Sequence, residues 1–315
     1  MLIGWSAPLH AAGKKHPVSA KVFYGLSYYL GDLGGRSADG QQFLHDLTLK
    51  KRTSIGGVGL SMQWKRYASV SLAYASGKLA GSDADVVYHS KSDPAYQRFK
   101  RNLDFRTTIR EWSLCAEILP FRFFSEQSTL ARFPLQPYLM TGIGRFRFNP
   151  QGSLFNELSN EDEWVDLQPL HTEGQTMKEY ANRSTYELTQ WNIPFGGGLQ
   201  YSIGWRSSVS LEFIGRKLYT DYLDDVSTTY IDETLFPKYL NSQQATQATA
   251  LHNKSALIEP DQPFKTGDAR GDARKNDFYY SLQLCIRFRL SKVHSTTRRV
   301  PVYHFYKYDN SERCN

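Results

Sequence analysis

Eight times along the chain, polar and apolar residues alternate one for one, and the connections between these runs are by turns long and short. A period of two is the side-chain period of a β-strand, whose successive side chains leave opposite faces. The run 278–291, FYYSLQLCIRFRLS, is the clearest. One face carries Tyr280, Leu282, Leu284, Ile286, Phe288 and Leu290; the other carries Ser281, Gln283, Cys285, Arg287, Arg289 and Ser291. Run 20–30 sets Val22, Tyr24, Leu26, Tyr28 and Leu30 against Gly25, Ser27 and Tyr29. Run 54–64 sets Val58, Leu60, Met62 and Trp64 against Gly57, Gly59, Ser61 and Gln63, and 68–77 sets Val70, Leu72 and Tyr74 against Ser69, Ser71 and Ala73. Run 105–119 sets Trp112, Leu114, Ala116 and Ile118 against Glu111, Ser113, Cys115 and Glu117. In 137–148 the pattern is weaker, with Met140, Phe146 and Phe148 opposed to Arg145 and Arg147. Runs 190–203 and 208–220 complete the set, the latter opposing Val209, Leu211 and Phe213 to Ser210, Glu212 and Arg216.

A soluble sandwich alternates too, with its apolar face inward. Two features favour a membrane barrel. The polar faces are dense in Gly and Ser, with isolated Glu, Arg and Gln, which suits the cramped interior of a small barrel where opposite charges can pair. The second feature is the connections. Those near Lys65 and at 204–207 are short and 120–136 is moderate, whereas 31–51, 78–103, 149–188 and 224–277 are long. Strict alternation of short and long is the outer-membrane pattern of periplasmic turns and external loops. Trp64, Tyr67, Tyr201 and Trp205 lie beside the short turns, and Trp191, Tyr219 and Tyr222 near the opposite ends, as two interfacial belts would. Hydrophobic residues make up 40% of the chain, and no run approaches the roughly 18 apolar residues of a spanning helix. The net charge of +7 is spread without a basic block, so nucleic acid is not an expected partner.

The expectation is an all-β, eight-stranded antiparallel transmembrane β-barrel of the outer-membrane type over residues 17–291, with four long external loops. An even strand number puts both ends on the side of the short turns, the periplasm. Residues 1–16 read as an N-terminal segment, a possible signal remnant without a basic leader. Residues 292–315 form a basic periplasmic tail, in which Arg298, Arg299, Tyr303 and Tyr306 are candidates for docking. Glu111, Glu117, Glu212, Arg216, Arg287 and Arg289 are expected to cross-pair in the lumen, leaving no conducting channel. Cys115 and Cys285 sit across the barrel from each other and are expected to stay free; three cysteines in all fit no zinc or redox spacing.

TDYLDDVSTTY, 220–230, puts Asp221, Asp224 and Asp225 within five positions. Such acids could hold a divalent cation, but the spacing is not that of an EF-hand; solvated strand-end acids are the favoured reading, with a role in loop packing open. His171, Glu173, Ser184 and Ser227 are the residue types of a hydrolytic site, yet nothing in their spacing aligns them, and no catalytic residue is expected. Arg270-Gly271-Asp272 reads as local duplication in a polar loop. No cofactor and no metal is expected.

YYLGDLGG (28–35), PYLMTGIGRFRFNPQG (137–152), LQPLHTEGQT (167–176), IPFGGGLQY (193–201) and RKLYTDYLDDVSTTY (216–230) occur in this order. Together they resemble the DUF6089 outer-membrane barrel family of Bacteroidetes, over residues 20–290. TDYLDDVS is the strongest motif and PLHTEGQ the next, with His171 where the family usually has Gly. The resemblance implies an integral barrel among outer-membrane lipids that serves type IX secretion and anchors a periplasmic ring of PorK/PorN-type proteins. It also implies that Gly31, Asp32, Thr172, Glu173, Gly174, Thr220, Asp221, Tyr222, Asp224 and Asp225 form a signature at the outer rim. Two other readings stay open: a barrel enzyme acting on lipid, and an OmpA-like structural or adhesive barrel.

Overall fold

The computed structural model describes residues 16–34, 52–124, 128–156, 160–204 and 206–290. All eight alternating runs are strands: β1 (Val18–Leu30), β2 (Thr53–Lys65), β3 (Ala68–Ser82), β4 (Asp104–Ile118), β5 (Leu135–Arg147), β8 (Thr189–Ser202), β9 (Ser207–Leu218) and β10 (Phe278–Arg289). Each pairs antiparallel with its neighbour, β1 also pairs with β10, and the pairings β3–β4 and β1–β10 leave no free edge in the ring. Closure of this kind satisfies every backbone group between strands, which a strand facing lipid requires.

The barrel is inside out. Leu60, Leu72, Leu114, Leu199, Leu211, Leu284 and Ile286 are exposed on its outer face, while Ser71, Glu117, Glu212, Gln283 and Arg287 are buried in its lumen. A soluble barrel has the reverse arrangement. A belt of apolar side chains around a polar interior is the surface a bilayer selects, and the fold is that of the outer-membrane type. Strands of 12–15 residues exceed the ~9–11 needed to cross, so the barrel rises past the belt at the long-loop end. Trp64, Tyr201, Trp191 and Tyr219 are exposed at the two ends, in agreement with two belts; Trp205 lies outside the described residues.

Three readings are corrected. In β5, Phe146 and Phe148 are fully buried while Arg145 and Arg147 face out, so the apolar side of this strand's outer half is its inner side. The reason is a layer of aromatics across the outer end of the lumen, where Phe146 stacks on Phe148 at 5.5 Å between ring centroids and Tyr186 stacks beyond it. Tyr222 does not join the outer belt; it stacks on Tyr186 at 4.7 Å. The stretch 149–188 is not featureless: β6 (Gln151–Asn156) and β7 (Glu161–Asp166) form a hairpin that extends from β4 through the pair Arg106–Gln151. Arg106 also lies over the Trp164 ring at 4.3 Å.

Inside the barrel, two charged tiers form. In the tier nearer the short turns, Arg287 contacts Glu117 at 2.5 Å and Glu212 at 3.3 Å, and Lys21 contacts Glu117 at 3.7 Å. Tyr138 and Gln283 donate to Glu212. In the tier above, Arg216 Nε meets Glu111 at 2.9 Å, with Tyr279 and Asn192 donating to the same carboxylate. Five of the six expected lumen charges are therefore brought together. Arg289 is not: it stands at the short-turn mouth, because β10 runs out of the barrel there. Lys21 is the further lumen cation, and its parity with Gly25 and Ser27 is what points it inward. Cys115 and Cys285 are buried and free. Arg298, Arg299, Tyr303, Tyr306, Cys314 and residues 1–15 lie outside the described residues.

Candidate functional site

The described parts of the connections 83–103, 148–188 and 219–277 close over the long-loop end of the barrel as a folded cap. Its apolar centre is made by Leu167, Leu170, Met177, Ile231, Phe236 and Leu251, with the helix Ser242–His252 contributing its Ala245, Ala248 and Leu251 side. Asn241 caps that helix by accepting from the Gln244 amide at 2.9 Å. A second cluster, Leu33, Leu103, Phe105 and Val226, ties the first two loops to the last.

The motif acids lie beneath this apolar centre, and they are not solvated. Asp224 and Asp225 are fully buried and Asp221 is nearly so, which overturns the reading of strand-end acids in water. Asp224 and Asp225 work as acceptors for backbone donors and for side chains from other loops. Asp224 accepts from the Leu33 amide at 3.2 Å, the Val226 amide at 2.9 Å and the Tyr29 hydroxyl at 2.5 Å. Tyr29 also donates to Asp277 at 2.8 Å, and Asp277 accepts from the Leu223 amide at 2.8 Å. Asp225 accepts from Tyr186 at 2.7 Å and from the Thr172 hydroxyl. Its φ of 65° lies in the left-handed region, which Asp tolerates better than most residues. Thr220 accepts the Tyr222 amide at 3.1 Å on its hydroxyl and the Asp277 amide on its carbonyl.

Glu173 is the hub. It accepts from the amides of Ser227 at 2.9 Å and Thr228 at 3.0 Å, from the Thr228 hydroxyl at 2.6 Å, and more distantly from Tyr222. Arg270 meets it at 2.9 Å and is itself only 2% exposed. This arginine also donates to the Asp225 carbonyl, so the polar-loop duplication read at 270–272 is a buried anchor instead. Gly271 sits beside it at a close approach: a Cβ there would collide with the Asp32 carboxylate and the Ser227 backbone. Asp32 in turn accepts from the Asp272 amide at 2.8 Å. Arg101 joins the first, second and last loops through Asp83 at 2.7 Å, the Asp32 carbonyl at 2.6 Å and the Arg270 carbonyl. No periodicity marks Arg270 or Arg101 in the sequence; their burial depends wholly on partners from distant loops.

The turn between the motifs is strained at two residues, His171 and the β-branched Thr176, which takes φ 67°. His171 takes φ 48°, and its Nδ1 is buried without a partner. Gly174, three residues on, takes φ 75°. His252 packs its Nδ1 against the Thr172 carbonyl at 2.7 Å; burial, reinforced by Arg270, pulls its pKa down to about 3, so the ring is neutral.

Burial dominates the electrostatics of the acids. It pushes Asp221 up to about 8, with Asp32 and Asp224 adding like charge. It pushes Asp225 up to about 6 against the pull of Arg270. Asp224 and Asp277 are raised together, each by burial first and then by neighbouring carboxylates. Of the rim signature, Asp32, Thr172, Glu173, Thr220, Asp221, Tyr222, Asp224 and Asp225 meet in one network, and Gly31 packs against Tyr29 and Asp277 at its edge. His171, Ser184 and Ser227 do not assemble with Glu173 as a nucleophile and base. No group of three or more potential ligands placed to hold a metal ion is found among the described residues.

Three solved structures of similar outline are a major outer membrane protein from Thermus thermophilus (8% identity, 87% of this chain and 99% of that one, TM-score 0.37), Ail of Yersinia pestis (8%, 88% and 99%, 0.36) and Neisserial surface protein A (10%, 87% and 97%, 0.33). No match was found among curated proteins. The PLHTEGQ and TDYLDDVS motifs lie beyond the reach of the family model that matches: DUF6089, a domain of unknown function, which matches residues 16–168, from the start of β1 to the end of the β6–β7 hairpin.

Proposed function

We propose that this chain is an integral outer-membrane barrel with a non-enzymatic, structural role in type IX secretion, comparable to that of PorG, and that it anchors a periplasmic ring of PorK/PorN type. The observation that carries the structural part is the joint design of lumen and cap: the interior is filled by paired charges, and the motif acids are spent on holding loops together. Glu173 and Asp225, the acids a catalytic reading needs, accept from backbone amides, hydroxyls and Arg270. The secretion role rests on the family resemblance. The membrane setting rests on the outward apolar belt. In this reading the short turns and both chain ends face the periplasm, where the basic stretch 292–315 would meet the ring.

Mild-detergent capture of the tagged full-length protein from outer membranes, followed by mass spectrometry, tests this. Ring lipoproteins in stoichiometric amount are the expected result. A clean barrel without such partners would remove the secretion role and shift weight to the cap as the functional surface.

A further inference from the structure

The short-turn mouth of the lumen holds a cavity of about 100 Å³ lined by Arg122, Arg206, Arg287 and Arg289, with serines such as Ser61 and Ser208 between them. No carboxylate is among the described residues that line it. A polar space of this size can hold ordered water or a small solute.

Among the described residues the charge here is unbalanced. Deeper in the lumen, Lys21 and Arg287 are matched by Glu117 and Glu212. That account leaves Arg122 and Arg289 over. Among the described residues, the Arg122 guanidinium reaches the Arg66 carbonyl, at 3.5 Å. Burial, together with the like charges of Arg289 and Arg66, weakens its hold on its proton. Arg287 supplies a second, independent sign. It is 8% exposed, its two terminal nitrogens serve Glu117 and Glu212, and its Nε is buried without a partner. A buried N–H without an acceptor is unfavourable, and Arg287 is one of the residues that line the mouth.

We infer that this mouth is a binding site for a tetrahedral oxyanion of the phosphate class. Guanidinium groups match the paired oxygens of phosphate, and the serine hydroxyls supply the remaining donors. The site opens at the end of the barrel where both chain ends emerge, so its ligand comes either from free phosphate on that side or from a lipid phosphate at the same interface.

The full-length protein in detergent is titrated with inorganic phosphate by calorimetry, at constant ionic strength set with chloride. In parallel it is embedded in nanodiscs of phosphatidylcholine with or without phosphatidylglycerol, and retained lipid is read by native mass spectrometry. Arg122→Gln and Arg289→Gln are the variants, with heat-modifiable gel mobility as the check that each is folded; neither residue belongs to the paired lumen tiers. Saturable phosphate binding, weakened tenfold or more in either variant, establishes a free-anion site. Silence towards phosphate, with phosphatidylglycerol retained by the wild type and lost from the variants, establishes a lipid headgroup site. Absence of both, or binding that the variants leave unchanged, overturns the inference.

Discussion

At the scale of single residues, His171 shows what a left-handed backbone costs a residue that carries a side chain. A left-handed backbone at a residue with a Cβ is unfavourable by roughly 1–2 kcal/mol, and glycine escapes that penalty. His171 bears it at φ 48° and adds a buried, unpartnered Nδ1. Glycine at this position would relieve both, offset in part by the greater freedom of the unfolded chain. His171→Gly should therefore stabilise the cap by about 1 kcal/mol. The shift is measurable as slower hydrogen exchange of peptides spanning 170–186, with the barrel strands unchanged. Exchange that is equal or faster would mean that the imidazole contributes packing greater than the strain it imposes.

Among the elements, the cap loops are where pH should act. Asp221, Asp224, Asp225 and Asp277 all have folded pKa values above the ordinary aspartate range, because burial disfavours their charged forms. A carboxyl with a raised folded pKa binds its proton more tightly when folded. Its contribution is fully present below the unfolded value of roughly 3.9 and is lost as pH rises through the folded value. The window thus runs from about 4 up through about 6 for Asp225 and about 8 for Asp221. Between pH 5 and pH 9 the loops 220–232 and 170–186 should open more often, once exchange times are corrected for the intrinsic effect of pH. Asp221→Asn, which imitates the protonated acid, should flatten part of that dependence. A cap equally protected at pH 5 and pH 9 would show that the acids keep their charge by drawing in water. The elements also divide into those legible in the sequence and those not. Every barrel strand is legible because lipid outside and polar lumen inside impose strict alternation. The β6–β7 hairpin is not: β7 reads EDEWVD, poor in strand formers, and is held by its partner and by Arg106 over Trp164. The cap acids look solvated in the sequence for a similar reason, since what buries them is a contact between residues as far apart as Tyr29 and Asp277.

For the whole molecule, the question is whether anything passes through it. An eight-stranded barrel is only wide enough for its own side chains. Here they form successive barriers: the Arg287–Glu117–Glu212 tier, the Arg216–Glu111 tier, the aromatic layer of Phe146, Phe148 and Tyr186, and then the cap. The charged tiers alone would not seal a pore, because paired charges can rearrange around water. The aromatic layer is different in kind. Its donors are the phenols of Tyr186, Tyr222 and Tyr279, already directed at Asp225, Glu173 and Glu111, so water entering it would lose hydrogen bonds without replacement. Deleting the cap should therefore leave the barrel closed, while shaving the aromatic layer should not. Purified protein in planar bilayers is expected to show no discrete conductance steps. Phe146→Ala combined with Phe148→Ala is expected to introduce them, provided gel mobility shows a folded barrel. Steps from the wild type would mean that the lumen rearranges in a bilayer, and a silent double variant would move the seal to the charged tiers or the cap.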